Sequence, residues 1–284
     1  MCSTPRNGCT TPSNVCGPTA RSFRSSTRPP LHRPDEARVS WGPAGRGVQR
    51  IVVWRHGQTM WNATGRFQGQ ADPPLDLVGQ EQSRQAARYL AADPPDLILS
   101  SDLLRATSTA VALTQLIKSP LKIEPRLREI DLGSWQGLTR DEVAASYPEQ
   151  YAEWLDGRPP LGRGGESRAQ LDARVLAALH EIEVDRVLLV THGGTARSII
   201  ETLLGVSHRG RWLAVLGNCH WSKLQCYPGG WQLVAHNLAP ASESMLGDAG
   251  VPAVERGDAD AVDDGSPEEG SPDVGPSDDA DASP

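Results

Sequence analysis

The chain has 284 residues, 22% of them charged and 38% hydrophobic, with a formal net charge of −7, which is enough to bury a sizeable core in one large or two small domains. No stretch approaches the roughly 18 uninterrupted apolar residues of a membrane-spanning helix, and the N-terminus has no apolar signal-peptide core. The five cysteines show neither a disulfide framework nor metal-site spacing, so a cytoplasmic protein without a membrane partner is expected.

Charge is spread unevenly. Residues 1–50 carry eight arginines against Asp35 and Glu36, a net of +6, in a Ser/Thr/Pro/Gly-rich background without apolar period. Residues 241–284 carry thirteen acidic residues against Arg256, a net of −12. Both compositions predict disorder. Residues 1–47 are thus expected to be a disordered basic arm, 241–284 a disordered acidic tail, and 48–240 one folded domain; residues 51–240 are left with only −1 of the total charge. The arm has one Phe, one Trp, no Lys and no binding module, so no nucleic-acid partner is expected. Because Val48 lies just ahead of the first strand, residues 1–47 also read as leader translated from an upstream start codon.

In chain order, the apolar run 50–54 predicts a strand buried on both faces, and it stops at the sequence RHGQT. Helical spacing of Gln82, Ala86, Tyr89 and Leu90 predicts a helix over 79–92. A strand at 97–100 leads into a helix over 102–117, started by a Ser-Asp cap. After a short strand at 122–124 come the loop RLREIDLGSWQGLT, a helical stretch over 139–155 and a helix over 167–183. Strand 186–191 feeds a helix over 193–204 through His192-Gly193-Gly194. Strands 219–226 and 231–236 pair as a hairpin across Pro228-Gly229-Gly230. Strand followed by helix, repeated, predicts an α/β fold: a three-layer α/β/α sandwich with a mostly parallel mixed sheet and an antiparallel edge hairpin. That hairpin, 219–236, is also a candidate contact for a homodimer.

Two of these strands end in the same chemistry. If 50–54 and 186–191 are neighbours, His56 and His192 meet at one sheet edge, where open α/β sheets bind ligands. Gly193 and Gly194 admit a ligand to the backbone, and the helix after them offers N–H groups to an anion. Arg55 and Arg105 could form a paired-guanidinium clamp for phosphate oxygens, and Glu129 could supply the proton that a departing alkoxide needs. Each also has a plainer reading: a capped strand end, a surface arginine, a solvated loop carboxylate.

Taken together, RHGQTMWN at 55–62, RFQGQADPPLDLVG at 66–79, SSDLLRATSTA, LREIDLGSWQGL, GGES at 164–167 and VTHGG at 190–194 resemble the histidine phosphatase superfamily, also called phosphoglycerate mutase-like. The resemblance covers residues 50 to about 238, in matching order. It implies that His56 is the phosphoryl-accepting nucleophile, that Arg55, Asn62, Arg105 and His192 form the phosphate pocket beside the Gly193 backbone, that Glu129 is the proton donor, and that Gln68 and Gly69 line the mouth. It implies no cofactor and no metal. Mutases of the family carry a long charged insertion between the acid loop and the second histidine. Here Glu129 and His192 are 63 positions apart and helices use up most of the interval, so hydrolysis is expected. The runs WRHGQT, LGSWQGLT, GNCHWSKL and GWQLVAHN resemble actinobacterial enzymes acting on glucosyl-3-phosphoglycerate, which implies a small phosphorylated metabolite as substrate, with Tyr151, Trp154, Arg158 and Arg163 as candidate sugar readers. A broad-specificity or α-ribazole-type phosphatase, a mutase and a non-catalytic phosphate-binding module are the alternatives.

Overall fold

The computed structural model describes residues 48–240 except 159, 161 and 207–212; the expected arm and acidic tail lie outside the described residues. Six strands form one sheet in the order β3-β2-β4-β1-β5-β6. They are β1 (Arg50–Arg55), β2 (Leu97–Ser100), β3 (Leu121–Ile123), β4 (Arg186–Thr191), β5 (Trp221–Tyr227) and β6 (Gly230–Leu238). The pairs β3/β2, β2/β4 and β4/β1 are parallel, while β1/β5 and β5/β6 are antiparallel. The expected α/β class and antiparallel edge hairpin are both present.

Alternation along the strands divides the core between the two faces. Trp54, Ile98, Leu188 and Val190 pack with Ala86, Ala87, Ala106, Ala110 and Leu113 from α2 (Leu77–Leu90) and α3 (Leu104–Thr114), behind the one-turn α1 (Met60–Ala63). Ile51, Val53, Val187 and Leu189 pack on the other face with Leu171, Val175, Leu179, Ile199 and Ile200. Those partners come from α6 (Arg168–His180) and α7 (Gly193–Leu204). A third cluster of Phe67, Leu132, Trp135 and Val143, the last from α4 (Arg140–Ser146), gathers Tyr151 and Trp154 from α5 (Pro148–Leu155).

Three of the differences from the predicted boundaries have an identifiable physical reason. Helix α2 starts two residues early because Asp76 accepts the Gly79 N–H through its side chain. Helix α3 is not capped by the Ser-Asp pair. Its N-cap is Leu103, and the Leu104 N–H is met instead by Asp72 Oδ1 at 2.7 Å. Asp102 is drawn off to Arg128 at 2.7 and 2.5 Å. The single stretch over 139–155 is two helices, because Pro148 lacks the N–H that would continue α4 and begins α5 at its first turn.

Candidate active site

Parallel pairing sets Arg55 opposite Thr191, so the chain leaves the sheet at both places in step. The His56 N–H donates to the Thr191 carbonyl at 2.9 Å. The two imidazoles that follow lie 5.1 Å apart, with ring planes 58° to each other. Both are buried. A carbonyl only accepts, so the 2.7 Å contact between His56 Nδ1 and the Gly57 carbonyl places the ring proton on Nδ1 and leaves the lone pair on Nε2. The logic at His192 is reversed: Arg105 Nε donates to its Nδ1 at 3.1 Å, so Nε2 carries the proton and donates to Ser101 Oγ at 2.9 Å.

The cations are fixed from behind. Arg55 Nη1 donates to the Leu216 carbonyl at 2.6 Å, and its guanidinium lies 3.8 Å from where a Cβ on Gly193 would stand. Arg105, wholly buried, donates from Nη1 to Ala71 and from Nη2 to Gly69, at 2.6 and 2.8 Å. Burial first, then the charges of Arg105 and Arg55, hold His56 well below the usual imidazole range. His192 is lowered by burial, then Arg105, His56 and Arg55.

Glu129 sits at the start of α7. Its Oε2 accepts the Gly194 N–H at 3.0 Å, and its Oε1 accepts the Ile130 N–H and the Thr195 N–H, both at 2.9 Å. The Gly194 and Thr195 N–H groups are otherwise open donors of a helix N-terminus, spent on a carboxylate. A Cβ on Gly194 would lie 2.8 Å from Glu129 Oε1, so any larger residue there displaces the carboxylate.

Seven of the nine expected site residues line one cleft: Arg55, His56, Gln68, Gly69, Arg105, Glu129 and Gly193. Asn62 and His192 do not line it. Asn62 Oδ1 closes the capping box of α1 with Thr59 and accepts from Asn218 Nδ2 at 3.3 Å. His192 is oriented by Arg105 and Ser101. Gln68 Oε1 is buried and meets no hydrogen-bond donor among the described residues. Of the four sugar-reading candidates, only Trp154 reaches the cleft. Arg163 lies over Trp135, Tyr151 stacks on Trp154, and Arg158 pairs with Asp156. Sequence reasoning missed Arg66 and Phe67, which line the same cleft, and Thr195, which holds Glu129. All three lie in or beside the quoted blocks, but nothing in a linear motif says which of its side chains turn inward.

Two imidazoles kept neutral by burial make the fold sensitive to acid. In the unfolded chain a histidine takes up its proton near pH 6.5, while in the folded chain it resists until pH falls further, so the unfolded state binds more protons in between. Stability is therefore expected to be full above about pH 6.5 and to fall as pH drops from there towards the depressed folded values. Urea unfolding at a series of pH values checks this. The His56→Gln variant should show a shallower decline than the wild type; an identical decline would contradict the burial of a neutral His56.

The model of the histidine phosphatase superfamily (branch 1) matches residues 51–239. A glucosyl-3-phosphoglycerate phosphatase from Mycolicibacterium vanbaalenii is 42% identical over 190 residues, covering 62% of this chain and 84% of the relative. A metal-independent phosphoserine phosphatase from Arabidopsis thaliana is 37% identical over 198 residues, 66% of this chain and 83% of the relative. Among solved structures, that of a mycobacterial glucosyl-3-phosphoglycerate phosphatase in complex with VO3 superposes with a TM-score of 0.61 at 36% identity, covering 68% of this chain and all of the other.

Proposed function

The chain belongs to the histidine phosphatase superfamily and is a phosphatase, and on that premise we propose that it hydrolyses glucosyl-3-phosphoglycerate through a phosphohistidine on His56. The observation that carries the mechanism is one cleft holding an unprotonated His56 Nε2, the guanidiniums of Arg55 and Arg105, and the carboxyl of Glu129. Nε2 attacks phosphorus as the ester P–O bond breaks. The arginines offset the charge on the phosphoryl oxygens, and positioning with preorganised charge supplies most of the rate. A phosphate dianion against the Glu129 carboxylate favours a shared proton, which passes to the departing alkoxide. Water then attacks phosphorus, gives its proton to Glu129, and the N–P bond breaks to return the lone pair to Nε2. His192 acts from behind, keeping Arg105 oriented.

The substrate reading rests on the relatives and on the aromatic part of the same cleft. Trp154 lines the cleft, braced by Tyr151 at 5.7 Å, edge-on to Phe67 and Trp135, with the Arg140 guanidinium over its ring at 5.7 Å. The part of the rigid indole that lines the cleft offers apolar surface to the C–H groups of a sugar ring, while the buried Gln68 Oε1 can accept from a substrate hydroxyl.

The test is phosphate release from glucosyl-3-phosphoglycerate, 3-phosphoglycerate, phosphoserine, α-ribazole phosphate and p-nitrophenyl phosphate. The first is expected to lead by kcat/KM at least about tenfold. Trp154→Ala should lower that value about tenfold, mainly through KM, while leaving inhibition by inorganic phosphate unchanged. Equal rates on all five would leave a phosphatase of another substrate and overturn the sugar reading.

A further inference from the structure

The segment 126–129, which carries Glu129, is neither strand nor α-helix at its C-terminal end, yet none of its four backbone carbonyls lacks a side-chain donor. Thr191 Oγ1 donates to Leu127 and Thr195 Oγ1 to Arg128, both at 2.7 Å. Arg174, in the middle of α6, meets the other two: Nη1 donates to Arg126 at 2.6 Å and Nη2 to Glu129 at 3.0 Å. Gln70 Nε2, from the cleft-mouth loop, adds a second donor to the Glu129 carbonyl at 3.3 Å. Such a segment has no ladder of its own to set its rotation, so these side chains do.

Arg174 is itself held. Glu166 Oε1 accepts from its Nε at 2.6 Å and Oε2 from its Nη2 at 2.8 Å, a two-pronged pair that is mostly buried. The Glu166 backbone N–H donates to the Asp131 carbonyl at 2.9 Å, which closes a ring around Glu129. The glycine beside it is required by that approach: Gly165 has φ +71, and a Cβ there would lie 2.4 Å from the Asp131 carbonyl oxygen. The GGES run therefore welds the start of α6 to the acid loop, and Arg174 carries that rigidity to the Glu129 main chain. From its other side, α7 fixes the carboxylate through the N–H groups of Gly194 and Thr195.

We propose that Arg174, locked by Glu166, is a positioning residue for proton transfer: by gripping the carbonyls of Arg126 and Glu129 it sets where the Glu129 carboxyl stands relative to the leaving oxygen. This rests on Glu129 being the proton donor. A guanidinium is required because four acceptors in two directions must be met at once, which a single ammonium cannot do. Arg174 touches no reacting atom, and its effect passes wholly through Glu129.

A misplaced acid is felt in proportion to how badly the leaving group needs a proton. Arg174→Lys keeps the charge and the pairing with Glu166 but loses the double grip. Its kcat/KM should fall about tenfold or more on an alkyl phosphate such as 3-phosphoglycerate, and much less on p-nitrophenyl phosphate, whose phenolate leaves unassisted. Glu166→Gln, which leaves Arg174 in place but loosens it, should show the same split more weakly, and it serves if the lysine variant is poorly folded by circular dichroism. Glu129→Gln is the reference. If Glu129→Gln shows the split and neither other variant does, or if they lose activity equally on both substrates, Arg174 is only structural and the proposal is overturned. If Glu129→Gln itself shows no split, the proton-donor reading fails first and takes the proposal with it.

Discussion

Replacing His56 by alanine is expected to lower kcat about 10⁴- to 10⁶-fold on every phosphomonoester, the loss that follows removal of a nucleophile rather than of a binding contact. The reason lies in the tautomer. With Nδ1–H tied to the Gly57 carbonyl, Nε2 is held as the lone-pair nitrogen, and burial beside Arg55 and Arg105 keeps it unprotonated. The wild type, mixed rapidly with substrate and denatured in alkali where a phosphoramidate persists, should gain one phosphoryl group by intact mass. The alanine variant should gain none. A fully active His56→Ala enzyme, or a wild type whose phosphoryl group maps elsewhere, would refute the covalent route.

The second large effect is expected at Arg105. Its guanidinium joins three parts of the site, donating to His192 Nδ1, to the Gly69 carbonyl and to the Ala71 carbonyl. Lysine preserves the charge but has no planar fork with which to reach all three. Arg105→Lys should therefore lower kcat/KM about 10²- to 10³-fold, in the range seen when a preorganised charge-stabilising group is lost. It should also weaken inhibition by orthovanadate, since the same group meets both anions. Steady-state kinetics with that inhibitor decide the matter. Unchanged kinetics in the lysine variant would mean that Arg105 serves only as a charge, with its fork geometry irrelevant to catalysis.

Much of this site is legible in the sequence. Buried strands ending in RHG and THGG are local patterns, since apolar runs of that length must be covered on both faces and the polar residues after them must emerge at the sheet edge. Parallel pairing of β1 with β4 then brings His56 and His192 together, as the strand pattern predicts if they are neighbours. The helix starts were less legible where the cap comes from elsewhere. Asp72 lies 32 residues before the N–H that it satisfies at the start of α3, and no window along the chain contains both partners.

The hydrogen-bond partners of Asn62 and His192 were not legible for a related reason. The family motif places them in the phosphate pocket, but a motif records residue type and spacing, and it does not record which ring nitrogen is already engaged. Only in three dimensions does Arg105 occupy His192 Nδ1, and only there does Thr59 take up Asn62 Oδ1 in a capping box.

The sequence by itself determined the strand order along the chain, the longer helices between the strands, the family, and the identity of the residues that gather at the carboxyl ends of β1 and β4. These depend on apolar period and on turn chemistry, which act over a few residues. Tertiary structure alone decided which nitrogen of His192 carries a proton, which of four aromatic and cationic candidates faces the cleft, and that Arg174 and Glu166 hold the main chain of Glu129. The contacts that fix His192 and Glu129 join residues up to 91 apart, and the free energy of such contacts exists only once the chain has closed the loops between them.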